Sequence, residues 1–264
     1  MSDPILMRED AGAVARLTLN NPRALNALSD AMLAALKAEL TALALDTSIR
    51  VVIIAGAGKA FCAGHDLKEM TAGRAADDGG KAYFSDLFGR CGEVMTMIPR
   101  LPQPVIAEVH GIATAAGCQM VASCDMAVAA EGTRFGVNGV NIGLFCSTPM
   151  VALTRNIARK QAFEMLTTGD FIDAARAREL GLINRAVPQE DLRAETDALA
   201  AKVAAKLGIA IKHGKAAFYE QADMTLDEAY AFTGAVMAEN MMDADTDEGI
   251  RAFIEKRSPE WTQS

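Results

Sequence analysis

Pro104-Val105-Ile106-Ala107-Glu108-Val109, followed by His110-Gly111, by Ala115 to Ser123 and by Asp125 to Ala130, is the stretch that decides the fold. Its first six residues are apolar apart from Glu108, the pattern of a strand covered on both faces. His110-Gly111 turns the chain. Ala115 to Ser123 is rich in small residues and suits the start of a tightly packed helix, and Asp125 to Ala130 returns as a strand. Upstream, Val14 to Leu19 alternates and ends at Asn20-Asn21-Pro22, as a strand ending in a loop does. A helix follows with Ser29 as its cap, Leu28 and Leu33 in staple positions, and Leu33, Leu36, Leu40 and Leu43 on one stripe. Val51 to Ala55, bounded by Gly56 and Gly58, is again a buried-type strand. Thr71 to Lys81 is polar and glycine-rich, which predicts a mobile loop before a helix over Tyr83 to Ile98. A third round is expected from a strand within Phe135 to Leu144 and a helix from Pro149 capped by Thr148. The alternation specifies an α/β architecture.

Beyond Val187-Pro188 the pattern changes. Glu190 to Leu207, Ile209 to Gln221, Leu226 to Met242 and Asp247 to Arg257 have helical character, with Thr225 and Glu228 forming a capping pair. The seam is expected between Pro188 and Glu195, giving a core over 1–195 and a helical region over 196–264. Met237, Met241, Met242 and Phe253 must be buried somewhere, and a neighbouring subunit is one place for them.

Composition excludes several classes. The chain has 264 residues, 51% of them hydrophobic, with 26 Lys and Arg against 34 Asp and Glu. Disordered, collagen-like and coiled-coil chains do not look like this. A net charge of −8 offers no broad attraction for nucleic acid or anionic lipid. No apolar run approaches the roughly 20 residues that span a bilayer. The mixed, acidic Met1 to Asp10 stretch does not resemble a secretory signal. Five cysteines without a Cys-x-x-Cys pair point to a reducing, cytoplasmic setting. His65, His110 and His213 share no ligand spacing, so no metal is expected.

Two glycine turns carry the chemical interest because each follows a buried-type strand: Phe61 to Leu67, and His110 to Gln119. Small residues let a ligand approach the backbone, and the first N–H groups of a helix point outward unpaired. Two such donors converging would stabilise an oxyanion; two ordinary tight turns would have the same spacing.

These segments resemble the enoyl-CoA hydratase/isomerase (crotonase) superfamily. The likeness runs through Asn20 to Ala27, Phe61 to Met70, Pro104 to Asp125, Leu166 to Gly169 with Ala177 to Leu182, and Glu248 to Arg257. It implies a core of ββα units wound into a spiral, a C-terminal helical trimerisation region, and a homotrimer or a hexamer of two trimers. By position, the resemblance assigns an oxyanion hole to the N–H groups of His65 and Ala116. It places coenzyme A, as part of the substrate and with no other cofactor, along Arg23, Ala24 and Leu25 and along Ala63, His65, Asp66 and Leu67. Phe253 and Lys256 would meet its nucleotide end from a neighbouring subunit.

The sequence departs from the hydratase pattern where its two catalytic glutamates should stand. Gln119 and Gly139 occupy those positions. An amide does not cycle a proton near neutral pH and glycine has no side chain, so hydration is expected to be weak. The chain is most similar to the enoyl-CoA hydratase domain-containing branch, which shares Ala-Ala-Gly-Cys-Gln and the loss of both glutamates. Ala63-Gly64-His65-Asp66 is also similar to the methylmalonyl-CoA decarboxylase branch, whose histidine hydrogen-bonds the substrate but whose catalytic tyrosine is Cys146 here. Three functions therefore remain: an atypical enoyl-CoA hydratase-type enzyme using His65, Ala116 and Gln119; a malonyl-type acyl-CoA decarboxylase, which needs no base to start; and a non-catalytic acyl-CoA binding protein. Cys118 and Cys146 as nucleophiles, Asn138 and Asn141 as orienting groups, and Asp66 as a loop brace are further candidates, while Asp125, Glu108 and His110 have structural readings.

Overall fold

Alternation along the strands separates two cores. The computed structural model describes residues 3–262; Met1 and Ser2 of the stretch considered for targeting lie outside them. The chain runs through β1 (Leu6–Ala11), β2 (Val14–Leu19), α1 (Asp30–Leu45), β3 (Val51–Gly56), α2 (Leu67–Gly73), α3 (Lys81–Arg100), β4 (Val105–Val109), β5 (Ile112–Thr114), α4 (Ala116–Ser123), β6 (Met126–Ala130) and β7 (Arg134–Gly136). It continues through α5 (Pro149–Asn156), α6 (Arg159–Thr168), β8 (Ile172–Asp173), α7 (Ala174–Leu180), β9 (Arg185–Val187), α8 (Leu192–Ala204), α9 (Gly208–Glu220), α10 (Leu226–Met241) and α11 (Ala244–Ile254). A six-stranded sheet has the order β1-β2-β3-β4-β6-β9. Within this sheet only the β1–β2 hairpin is antiparallel; Val14 pairs with Val51, Val52 with Val105, and Ile106 with Met126 in parallel register.

Side chains of Val52, Ile54, Val105, Ala107 and Val109 point to one face, where the α1 stripe and Leu87, Cys91, Val94 and Ile98 of α3 cover them. Val51, Ile53, Ile106 and Val128 point to the other face and meet Leu192, Leu199 and Ala200 of α8. Burial on both faces explains why β3 and β4 lack polar alternation. Each fully buried aliphatic side chain contributes roughly 1.5–3 kcal/mol. Ser29 caps α1 by accepting the Met32 N–H, and Leu33, Leu36, Leu40 and Leu43 are all buried.

Several local expectations are corrected. Thr71 to Gly73 finishes helix α2 rather than opening a loop, because Asp66 caps that helix by accepting the Lys68 and Glu69 N–H groups. The strand expected within Phe135 to Leu144 stops at Gly136, and Asn138–Ile142 forms a short helical turn. The Thr148 side chain makes no capping bond; Pro149 alone sets the start of α5. Alternation missed β1, and β5, β7 and β8 are too short to show a period. Residue 195 falls inside α8, which packs on the sheet, so the character of the chain changes structurally after α8. Glu228 accepts both the N–H and the hydroxyl of Thr225 at the start of α10. No helix among the described residues is long and apolar enough to cross a membrane.

Candidate active site

Three loops meet at the C-terminal ends of β3 and β4 and are stitched by backbone bonds. Asn26 fixes the first: its carbonyl oxygen accepts the Asn21 N–H, and its amide donates to the carbonyls of Ala57 and Ala60 at 2.8 Å each. The N–H of Ala63 then donates to Leu25 at 3.1 Å, and that of Leu28 to Gly64 at 2.7 Å. Those two bonds place Arg23, Ala24 and Leu25 beside the loop of Ala63, His65, Asp66 and Leu67. Cys62 ties in the third loop, donating to Ile112 and accepting from Thr114. Gly117 lets α4 close on it, since a Cβ there would lie 2.2 Å from the Cys62 carbonyl oxygen.

The donors expected from sequence lie at this junction. A Cβ on Gly64 would stand 3.4 Å from the Ala116 nitrogen, so the two loops run against each other. Among the described residues, neither the His65 nor the Ala116 N–H donates to a backbone carbonyl. Between them Ala115 adopts φ +49° and ψ −118°, a conformation L residues avoid. Such backbone costs on the order of 1–3 kcal/mol and collects where function requires it. Here the Ala115 N–H is held by the Gly136 carbonyl at 2.9 Å, and the strain turns α4 so that its first amide faces the Gly64 loop.

The side chains around these amides are mostly neutral. Both ring nitrogens of His65 are buried beside the Leu28 carbonyl without a well-formed hydrogen bond, and the ring meets Phe88 edge-on at 5.6 Å. Burial holds its pKa below the ordinary histidine value, helped by Arg90 and opposed by the Leu28 carbonyl and Asp30. Gln119 is buried with its carbonyl oxygen unpartnered. Gly139 is buried in the Asn138–Ile142 turn, where a Cβ would meet the Leu144 carbonyl oxygen at 2.3 Å and the Cys146 sulfur at 2.9 Å.

Other candidates are committed elsewhere. Burial pushes the Cys118 thiol up to about 12 and raises that of Cys146, which removes both as thiolates near neutral pH. Asn138 accepts the Thr114 hydroxyl, and Asn141 donates to the Gly169 carbonyl. Asp125 holds Lys215 and Tyr219, Glu108 pairs with Arg16, and His110 bonds the Gly58 carbonyl. Phe253 and Lys256 stand at the end of α11, which packs on α10, and Phe253 is 84% exposed. Sequence reading missed Asn26 and Tyr83; the latter's hydroxyl is buried and unpartnered, and its ring meets Phe84, which stacks on His65's neighbour Phe88. A separate surface hollow of about 540 Å³, lined by residues of α6 such as Arg159, Phe163 and Thr168, shares none of these groups. No group of three or more His, Cys, Asp or Glu among the described residues is placed to hold a metal.

Comparison with known proteins agrees with this architecture. The family described as enoyl-CoA hydratase/isomerase matches residues 9–264. Enoyl-CoA hydratase domain-containing protein 3, mitochondrial, of Xenopus laevis is 46% identical over 99% of this chain and 87% of its own length. The crystal structure of an enoyl-CoA hydratase from Mycobacterium smegmatis superimposes with a TM-score of 0.94 at 55% identity, covering 98% of this chain and 99% of that one. The human enoyl-CoA hydratase domain-containing protein 3 gives a TM-score of 0.93 at 42% identity, covering 97% and 100%. The cytoplasmic expectation is overturned by the relatives named mitochondrial. Free thiols mark a reducing setting and do not choose between compartments that provide one. With its parallel sheet, its C-terminal helices and its match over nearly the whole length, the chain belongs to the enoyl-CoA hydratase/isomerase (crotonase) family.

Proposed function

We propose that the protein binds an acyl-CoA thioester and stabilises its enolate with the backbone N–H groups of His65 and Ala116. The observation carrying this reading is the strained Ala115, which sets the Ala116 amide, free of a backbone acceptor, against the Gly64-His65 loop. Donors fixed before charge develops need no reorganisation, and one such donor is typically worth about 3 kcal/mol of barrier. Coenzyme A lies along Arg23 to Leu25 and Ala63 to Leu67, whose backbones are joined at Ala63 and Leu25. Phe253 and Lys256 reach its nucleotide end from a second subunit.

Gln119 and Gly139 supply no proton-cycling group, so hydration of an ordinary enoyl ester is slow. General acid–base catalysis commonly contributes roughly 10²–10⁴-fold. Gln119 positions water through its unpartnered oxygen, and the neutral His65 ring serves the thioester's surroundings.

Mass spectrometry of enoyl-, malonyl- and hydroxyacyl-CoA esters after incubation with the purified protein tests this reading. The expected result is slow gain of water by an enoyl ester, abolished in Ala116→Pro. Ala115 at ψ −118° is poorly suited to precede proline, so circular dichroism checks that variant's fold. Gly64→Val, whose Cβ would press on Ala115, is the second variant. Loss of carbon dioxide from the malonyl ester would replace hydration by decarboxylation. Unchanged esters with binding retained would make the protein a binder rather than an enzyme.

A further inference from the structure

Beyond α11 the chain runs back along the helix as a strap over residues 257–262. Arg257 donates through both Nη atoms to Glu248 at 2.6 and 2.9 Å and through Nε to Glu255 at 2.6 Å. Glu248 also accepts the Glu260 N–H at 3.0 Å, and the buried Asp245 accepts the N–H and the hydroxyl of Thr262 at 2.8 and 3.0 Å. Between these anchors the Trp261 ring lies on Gly249, where a Cβ would stand 2.7 Å from it. Asp245, Glu248, Gly249 and Ala252 share one side of the helix, while Ile250, Phe253 and Ile254 lie off that side and are exposed. The chain enters the strap at Lys256, whose φ of +56° is left-handed. Glycine is the ordinary residue at such a helix end, because a Cβ is disfavoured there. The turn is closed by the Arg257 N–H on the Ala252 carbonyl at 3.0 Å and the Lys256 N–H on that of Phe253 at 3.2 Å. Backbone of this kind persists only where its surroundings over-determine it, and it collects at ligand clamps.

We propose that this strap, through Trp261 on Gly249 and Arg257 on Glu248, is a positioning element for the nucleotide end of coenzyme A. It rests on the reading above in which Phe253 and Lys256 meet that end, and it acts through those two residues without touching the ligand. Among the described residues α11 buries only Asp245 and Ala252, and both lie on the strapped side. The helix therefore has little core of its own, and the strap fixes where it stops and how Phe253 and Lys256 are presented. Side chains held in place before binding lose less freedom when the ligand arrives.

Calorimetric titration of the full chain with butyryl-CoA and with butyryl-pantetheine, which lacks the nucleotide, tests the proposal. Wild type should bind the CoA ester more tightly. In Trp261→Ala, and in Gly249→Ala, whose Cβ would displace the indole, affinity for butyryl-CoA should fall about tenfold while butyryl-pantetheine binds as in wild type. Trp261→Phe, which keeps an apolar ring on Gly249, should recover most of the loss, and light scattering should give every variant the wild-type mass. Equal loss for both esters, no loss for either, or dissociation of the variants would overturn the proposal, because the strap would then serve the fold or the assembly. Lys256→Gly separates it from the reading beneath: if that variant loses the preference for butyryl-CoA and Trp261→Ala keeps it, the nucleotide contact stands and the strap's role falls. A wild type without that preference would remove the nucleotide contact and the proposal with it, leaving the oxyanion reading in place.

Discussion

Gly139 shows how one residue can mislead when it is read only as a missing catalytic group. The family resemblance implies a glutamate at this position, and on that reading restoring carboxylates at Gln119 and Gly139 would revive hydration. In the structure a Cβ at 139 meets the backbone oxygen of Leu144, which itself bonds back to Gly139 through its N–H at 3.0 Å. That neighbour is backbone, with no rotamer to move, so a side chain there requires the Asn138–Ile142 turn to be rebuilt. Gly139→Glu is therefore expected to lose about 1–3 kcal/mol of stability, as overpacked interiors do. Gln119→Glu, nearly isosteric, should retain the fold and show a raised carboxyl pKa from burial. Urea denaturation of the two variants separates these outcomes. A Gly139→Glu protein as stable as wild type that also hydrates enoyl-CoA would mean that the turn adapts freely and the pocket has not been remodelled.

Helix α9 is held by a contact that no local pattern announces. Lys215 is buried and donates to the carbonyls of Ile98 at 3.0 Å and Gln103 at 2.8 Å and to Asp125 at 2.7 Å. Burial pulls its pKa down and the Asp125 charge pulls it back up. One turn later Tyr219 donates to the other Asp125 oxygen, and Asp125 also accepts the Val105 N–H at 2.6 Å. Lys215 thus joins α9 to the end of α3 and to the start of β4. Lys215→Ala leaves a buried carboxylate and two carbonyls without their cation and should cost about 3–5 kcal/mol. The exposed Arg251–Asp247 pair on α11 serves as comparison, since Arg251→Ala should cost about 0–1 kcal/mol. Equal effects in denaturation would show that the buried cluster does not anchor the helix. The contrast also marks what the sequence made legible. The α1 stripe and the buried strands β3 and β4 follow from spacing, because each pattern lies within one element. Asp125 and Lys215 lie 90 positions apart, Asn26 pins a loop 31 to 34 positions away, and strands of two or three residues have no period to read. Convergence of the Gly64 and Ala116 loops was inferable from glycine-containing turns after successive strands; the aromatic run from His65 to Tyr83 required tertiary packing.

At the scale of the whole molecule, the helices beyond α8 carry an apolar surface that a single chain leaves open. Met242 is 85% exposed, Phe253 84%, Tyr230 73% and Met237 71%, and no residue of α10 is buried. Contiguous apolar surface of more than a few hundred Å² is rare on monomers and marks association. Closed symmetric oligomers bury such surface by repeating one interface, and we propose that the assembly is the trimer, or pair of trimers, that the family resemblance implies. The same association would bring Phe253 and Lys256 of one chain towards the Arg23–Leu25 loop of another, making ligand affinity depend on assembly. Light scattering should give a mass of three or six chains for the wild type. Tyr230→Glu with Met237→Glu, both on α10 and away from the stitched loops, should shift that mass towards one chain and weaken CoA binding in parallel. A monomeric wild type, or a dissociated variant that binds CoA as before, would break the link between the helical surface and the site and leave each chain to hold its ligand alone.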